Sequence, residues 1–347
     1  MAVNPGSTTT KIGLFRDDVR LHEQTLKVPD GLRALNLWEQ LAGRLDQVRG
    51  VLSRWETRAA ALSAVVARGG LMRPLASGTY TINQRMLADL KSGLQGQHAS
   101  NLGAAMAWEM AAPANLPCFV VDPVSVDEFE PLARLSGLPE LPRRSLLHAL
   151  NMKAAARRAA ADLGVPVERS SFVLCHLGGG ISVAPCRAGA LIDANNANEE
   201  GPFGPERAGG VPSLSLADLC FSGRHTWSDL QRRLVGGGGM AAYLGTADAE
   251  SVLQRVAEGD AEATLVMRAM AYQVAKEIGA MATVLLGQVD AVVLSGGLAR
   301  SPVFTSWVEE RVRFLGKVLV YPGEDEMLAL VQGALRVLKG EESAKAY

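Results

Sequence analysis

Cysteine is scarce in this 347-residue chain: Cys118, Cys175, Cys186 and Cys220 are the four present, and no two stand in a CxxC pair. That spacing suggests neither a zinc site nor a disulfide framework and leaves reduced thiols, with a cytoplasmic setting as the expectation. Cys175 beside His176 is no metal site either, because neighbours on a strand point to opposite faces and two ligands are too few. Charge of one sign is also lacking, since Lys+Arg 35 against Asp+Glu 36 gives a formal net charge of −1. A nucleic-acid binder's basic field is absent. The longest apolar stretch, Ile278 to Val289, is closed by Asp290 before it could span a bilayer, and no signal peptide opens the chain. Neither nucleic acid nor membrane is an expected partner. Two common nucleotide signatures are missing: no Gly-x-x-x-x-Gly-Lys-Ser/Thr leads into a helix, and no Gly-x-Gly-x-x-Gly opens one after the first strand. What remains, 48% hydrophobic and 20% charged residues, is an ordinary globular composition with room for two domains, and disorder is expected only in the tail 341–347.

The chain does have two matched glycine turns. Asn4-Pro5-Gly6-Ser7-Thr8-Thr9-Thr10-Lys11 leads into an apolar strand, Lys11 to Phe15, a polar turn, and a returning strand, Val19 to Glu23. His176-Leu177-Gly178-Gly179-Gly180-Ile181-Ser182 leads into Ile181 to Val183, a turn, and Ala190 to Asp193, with an upstream strand at Ser171 to Cys175. The repetition predicts a duplicated fold. Glycine lets the backbone wrap an anion with several N–H groups; Ser7 and Thr8 add hydroxyls and Lys11 adds charge, so the pair reads as a clamp for a polyphosphate.

Apolar spacing predicts a helix within 30–58, a strand at 62–67, a helix at 98–110, and the strand Cys118 to Val121, which ends on Asp122-Pro123. A carboxylate at a strand's end is well placed for a ligand. A long helix is predicted from Arg143 to Leu163, stopped by Gly164-Val165-Pro166, and another from Ala261 to Leu286 with a core face of Met270, Val274, Ile278, Met281 and Leu285. The loop from Asp193 to Pro212 is too long for a simple turn and reads as functional. The run Gly236 to Gly239 reads as a flexible connector. A third glycine turn, Ser295-Gly296-Gly297-Leu298-Ala299, follows the strand Ala291 to Leu294 where a nucleotide's sugar and base can lie, and an acidic Glu324-Asp325-Glu326 precedes a terminal helix, Met327 to Val337.

Together, NPGSTTTKI, GGLMRP, VDPVSVDEFEP, HLGGGISV, GPFGPERAGG, AMAYQVAKEIGAMA, LSGGLA and PGEDEMLAL resemble the butyrate kinases, in the acetate kinase branch of the superfamily that joins acetate and sugar kinases, heat-shock chaperones and actin. The resemblance runs from Ala2 to about Gly340. It implies an α/β fold of two duplicated actin-like, ribonuclease H-like ATPase domains, each on a mixed five-stranded sheet, with an ATP cleft between them. The domains would be 1–145, with helix 327–338 packing back on it, and 146–326. The implied reaction is reversible phosphorylation of butanoate by ATP to butanoyl phosphate and ADP, with Mg²⁺. Alternatives are a kinase for acetate, propanoate or isobutanoate, or a nucleotide-driven binding protein of the same superfamily. A homodimer or higher homo-oligomer is implied too.

The resemblance puts Asp122 at the catalytic carboxylate position, His148 and Arg207 on transition-state charge, Lys11 on the nucleotide phosphates, and the His176 turn with Gly178, Gly179 and Gly180 at ATP; the glycine-turn reading adds Ser7, Thr8, Gly296 and Gly297 to the nucleotide site. Asn4 would stand near the metal with Asp325 or Glu326, which the sequence does not separate. The arginine that holds the acid in acetate kinases aligns with Val65, leaving Arg68 or Arg73 to replace it. Relatives carry more residues before NPGST, so either the true start lies upstream or the first strand is clipped to Met1-Ala2-Val3, and with the chain as given the first domain is expected to be weakened.

Overall fold

The computed structural model describes residues 1–347 and divides into two compact units, Met1–Asp127 with Asp325–Tyr347, and Glu128–Glu324. In the first, strands β1 (Ala2–Pro5), β2 (Thr9–Arg16), β3 (Val19–Lys27), β4 (Val65–Arg68), β5 (Thr79–Thr81) and β6 (Cys118–Val121) form a sheet in the order β5-β6-β4-β1-β2-β3. The first strand is short, four residues against the eight of β2. β1 is central and paired on both sides, antiparallel to β2 (Ala2↔Gly13) and parallel to β4 (Ala2↔Val66), and Ala2 and Val3 are wholly buried.

The tail corrects one expectation, that 341–347 is disordered. Lys345–Ala346 adds a seventh strand, parallel to β5; the Tyr347 hydroxyl donates to Asp89 at 3.0 Å, and Glu342 accepts from the Thr79 N–H at 2.9 Å. Its polar composition hid pairing that only distant residues supply. The helix predicted over 30–58 is interrupted: Asp30–Arg33, a tight turn at Leu37–Glu39 closed by an Asn36/Glu39 capping box, then Gln40–Arg54 with Leu45, Val48 and Val51 buried. The helices Leu102–Ala111 and Glu326–Leu338 cover β1, β4 and β6.

The second unit repeats the plan. β7 (Ser171–Leu177), β8 (Ile181–Arg187), β9 (Ala190–Leu191), β10 (Ala291–Gly296) and β11 (Lys317–Pro322) lie in the order β9-β8-β7-β10-β11. Senses match as well: β9-β8-β7 and β3-β2-β1 are antiparallel, β7-β10-β11 and β1-β4-β6 parallel. The duplication read from the glycine turns is thus a duplication of topology. Helix Ala261–Val284 lays Met267, Met270, Val274, Ile278 and Met281 into the core below β7 and β8. Helix Ala149–Leu163 packs on β7 and β10 and ends at Gly164, whose φ of 67° closes the cap. It begins six residues later than predicted from Arg143, with His148 as its N-cap residue rather than inside the helix. The cause is Arg143, whose guanidinium is held outside by Asp193 (2.8 Å), Glu200 (3.0 Å) and the carbonyls of Ala133 and Ala194. Among the described residues no helix is long and apolar enough to cross a membrane.

Candidate active site

In the first unit the glycine turn joins β1 to β2. Gly6 N–H donates to the Thr9 carbonyl at 2.7 Å, and Ser7 and Thr8 are exposed at the tip. Lys11, on β2, is half-exposed, with Glu23 3.7 Å from its ammonium. Asn4, at the end of β1, donates from Nδ2 to Glu326 Oε2 at 2.5 Å, and Arg68, at the end of β4, reaches Glu326 Oε1 at 2.7 Å. The two acidic candidates now separate. Asp325 is the helix N-cap, accepting from Leu328 N–H at 3.0 Å, and pairs with Arg20, so Glu326 is the carboxylate beside Asn4. Arg73 does not join Arg68; it is exposed and pairs with Asp89 at 2.7 Å. Asp122 ends β6 with a left-handed φ of 37°, buried, its Oδ1 accepting from Gly78 N–H at 2.7 Å. A carboxylate fixed through one oxygen is oriented before any ligand arrives.

In the second unit the glycine turn joins β7 to β8. His176 is 1% exposed, and its Nε2 lies 3.2 Å from Glu324 Oε2, which also accepts from Asn151 Nδ2 at 3.0 Å. A carboxylate only accepts, so Nε2 carries the hydrogen; the buried Nδ1 has no hydrogen-bond partner. The His148 ring lies 4.3 Å from that of His176, with Nδ1 3.1 Å from Ser182 Oγ. Sequence reading missed Glu324, Asn151 and Ser182. Of these, Glu324 was visible in the acidic run but hidden by its neighbours' candidacy for metal.

The loop 193–212 is ordered onto this turn. Asn195 clips it to β8, accepting from Val183 N–H (2.6 Å) and donating to Ile181 O (2.8 Å). Arg207 then lies against Gly180 and Glu206 against Gly179, where an added Cβ would fall 2.2 Å and 3.0 Å from the respective side chains. Burial pushes the Arg207 guanidinium below its ordinary pKa, against the opposing pull of Glu206, and its Nε has no partner. Gly236 to Gly239 are no flexible connector. Gly236 and Gly238 N–H groups both go to the Glu206 carbonyl (2.8 and 3.2 Å), and a Cβ on Gly239 would meet Gly204 O at 2.0 Å, so the run is a backing plate for the Arg207 loop. The third glycine turn is drawn beside the second: Gly296 and Gly323 exchange two backbone hydrogen bonds of 2.9 Å, and a Cβ on Gly296 would lie 2.6 Å from Leu177 O.

Cys175 packs in the core, where burial pushes its thiol well up. No group of three or more His, Cys, Asp or Glu among the described residues could hold a metal ion. Asn4 and Glu326 do fit a cation such as Mg²⁺ that keeps one or two protein ligands and takes the rest from phosphate and water.

The acetokinase family profile matches residues 141–321. Butyrate kinase 1 of Clostridium acetobutylicum is 45% identical over 350 residues, covering 100% of this chain and 99% of its own. Among solved structures, an acetate kinase of Porphyromonas gingivalis superposes with a TM-score of 0.80 at 18% identity (97% of this chain, 98% of that one). A propionate kinase of Francisella tularensis gives 0.78 at 17% (96% and 97%). The structures show the shared fold; with the family profile across half the chain and a relative matched end to end, the chain belongs to the acetokinase family of phosphotransferases.

Proposed function

We propose that this phosphotransferase moves the γ-phosphoryl group of ATP to butanoate in a reversible, direct transfer. One carboxylate oxygen forms the new P–O bond, the bond from the γ-phosphorus to the β,γ-bridging oxygen breaks, and ADP leaves. The observation that carries the substrate is the 45% identity, over the whole chain, with a relative named for butyrate. A carboxylate is ionised at neutral pH and needs no general base, so the chemical task is neutralising charge.

Lys11, Ser7 and Thr8 are assigned to the nucleotide phosphates in the first unit, and the His176 turn with Gly178, Gly179 and Gly180 in the second; Gly296 and Gly297 are assigned to the nucleoside. Arg207 and His148 stabilise charge on the transferring group, and Asp122 is the catalytic carboxylate. Arg207 suits that role because its guanidinium is held by packing on Gly180 and spends no hydrogen bond from Nε within the protein. Of the two arginines offered for the acid's carboxylate, Arg68 is favoured because it shares Glu326 with Asn4, whereas Arg73 is exposed and pairs with Asp89. Asn4 and Glu326 would hold Mg²⁺, which when bound supplies charge neutralisation at the phosphate oxygens. Self-association is part of the proposal: helix Ser213–Phe221 buries none of its residues, and Leu214 and Phe221 on it are exposed.

The test is acyl phosphate formation, trapped as hydroxamate, with ATP, Mg²⁺ and acids from acetate to hexanoate and isobutanoate, run on the parent and Arg207→Ala. A maximum at butanoate that disappears in the variant is expected. Since a methylene is worth about 1 kcal/mol, adjacent acids should follow within about tenfold. A maximum at another acid would reassign the substrate, and no acyl phosphate with any acid would overturn the reaction.

A further inference from the structure

Beneath the first glycine turn lies a cation that no functional assignment above uses. Arg44, on helix Gln40–Arg54, is 1% exposed. Its Nη1 donates to Gly6 O (2.9 Å), Thr9 O (3.3 Å) and Thr10 Oγ1 (3.0 Å), while Nε and Nη2 both reach Gln40 Oε1 (3.2 and 2.8 Å). Every one of these acceptors is neutral. Among the described residues no carboxylate pairs with Arg44, and burial lowers its pKa. A buried charge without a counter-ion is costly.

Two consequences follow from where the fork sits. Binding the Gly6 and Thr9 carbonyls from the inside fixes the turn's negative dipole ends inward, away from the exposed Ser7–Thr8 tip. The uncompensated positive charge lies behind a turn whose exposed face is the Ser7–Thr8 tip. An anion on that face is attracted through a thin layer of low dielectric, where screening by water is weak.

We propose that Arg44 is a positioning residue for nucleotide phosphate: it shapes the turn from within and supplies its hidden positive charge. This rests on the reading that the 4–11 turn takes the phosphates of ATP. In Arg44→Met, the KM for ATP should rise by about tenfold or more while the KM for the acid stays within about twofold. Arg44→Lys, which keeps charge but not the fork, should fall between the two. An ATP-induced shift in melting temperature, referred to each variant's own ligand-free melt, should shrink in the same order.

A purely structural arginine would give a different pattern: a lower ligand-free melting temperature, with both KM values unchanged or raised equally. That pattern overturns the proposal. Lys11→Ala and Ser7→Ala separate its failure from that of the underlying reading. If they raise the KM for ATP and Arg44→Met does not, Arg44 is excluded; if none does, the turn is not the phosphate site and the proposal falls with it. Should Arg44→Met not fold, Gln40→Met removes the acceptor on one side of the guanidinium and leaves the arginine. A KM for ATP unchanged in Gln40→Met but raised in Lys11→Ala is again an overturning result.

Discussion

The guanidinium of Arg207 occupies the space a side chain on Gly180 would need: a Cβ there would lie 2.2 Å from Nη1. The glycine turn and the arginine loop are therefore one steric unit, although 27 positions separate them in the chain. Gly180→Ala should displace Arg207 and lower kcat by about 10²-fold, the scale of removing one donor from developing charge. Combined with Arg207→Ala it should add little, because both changes remove the same interaction. Independent, multiplying losses in the double variant would refute the coupling.

Gly239 has a φ of 61°, and a Cβ on it would meet Gly204 O at 2.0 Å and Arg207 O at 2.5 Å. Gly239→Ala should cost about 2 kcal/mol or more of stability and lower phosphoryl transfer by moving the Arg207 loop. Gly245 is the matched control, with a φ of 75° and nothing within 4 Å of its added Cβ. Gly245→Ala should cost only about 1 kcal/mol, from backbone strain, and spare activity. Thermal melts beside turnover distinguish the two; equal effects would mean that the glycine run is a connector after all.

Glu326 and Asp325 are adjacent but differently employed. Glu326→Gln, which also releases Arg68, should raise the Mg²⁺ concentration for half-maximal activity by about tenfold or more. Asp325→Ala should do the reverse, losing about 1 kcal/mol as a helix cap and leaving the Mg²⁺ titration in place. An exchange of these outcomes would transfer the metal role to Asp325.

Glu277 is held above its ordinary pKa by burial first, then by repulsion from Glu200 and Asp193, with Arg143 opposing. The folded state thus holds a proton more tightly than the unfolded chain. Its contribution is present at low pH and is lost as pH rises through the folded pKa, so the ionised carboxylate weighs against folding at neutral pH. Glu277→Gln should melt higher than the parent at neutral pH, with the gap closing below about pH 4. A gap that does not vary with pH would show that packing, not ionisation, sets the difference.

The two glycine turns, the strands that follow them and Asp122 at the end of β6 were legible because each depends on residues within a few positions: glycine for the turn, alternation for the strand, a proline to stop it. The duplicated plan followed from finding the same local pattern twice. Tertiary structure decided what depends on distant partners. The Arg143 interactions with Asp193 and Glu200 hold residue 143 outside the helix it was predicted to start, and β5 orders a tail that composition marked as loose. Asn4 chose Glu326 over Asp325 because capping the last helix used the latter, and Arg44, one charge on a helix that reads as ordinary, became the buried support of a turn 35 to 38 residues away. Local sequence sets which backbone shapes a segment can take. Which side chains meet across them depends on the packing of the whole sheet and its helices.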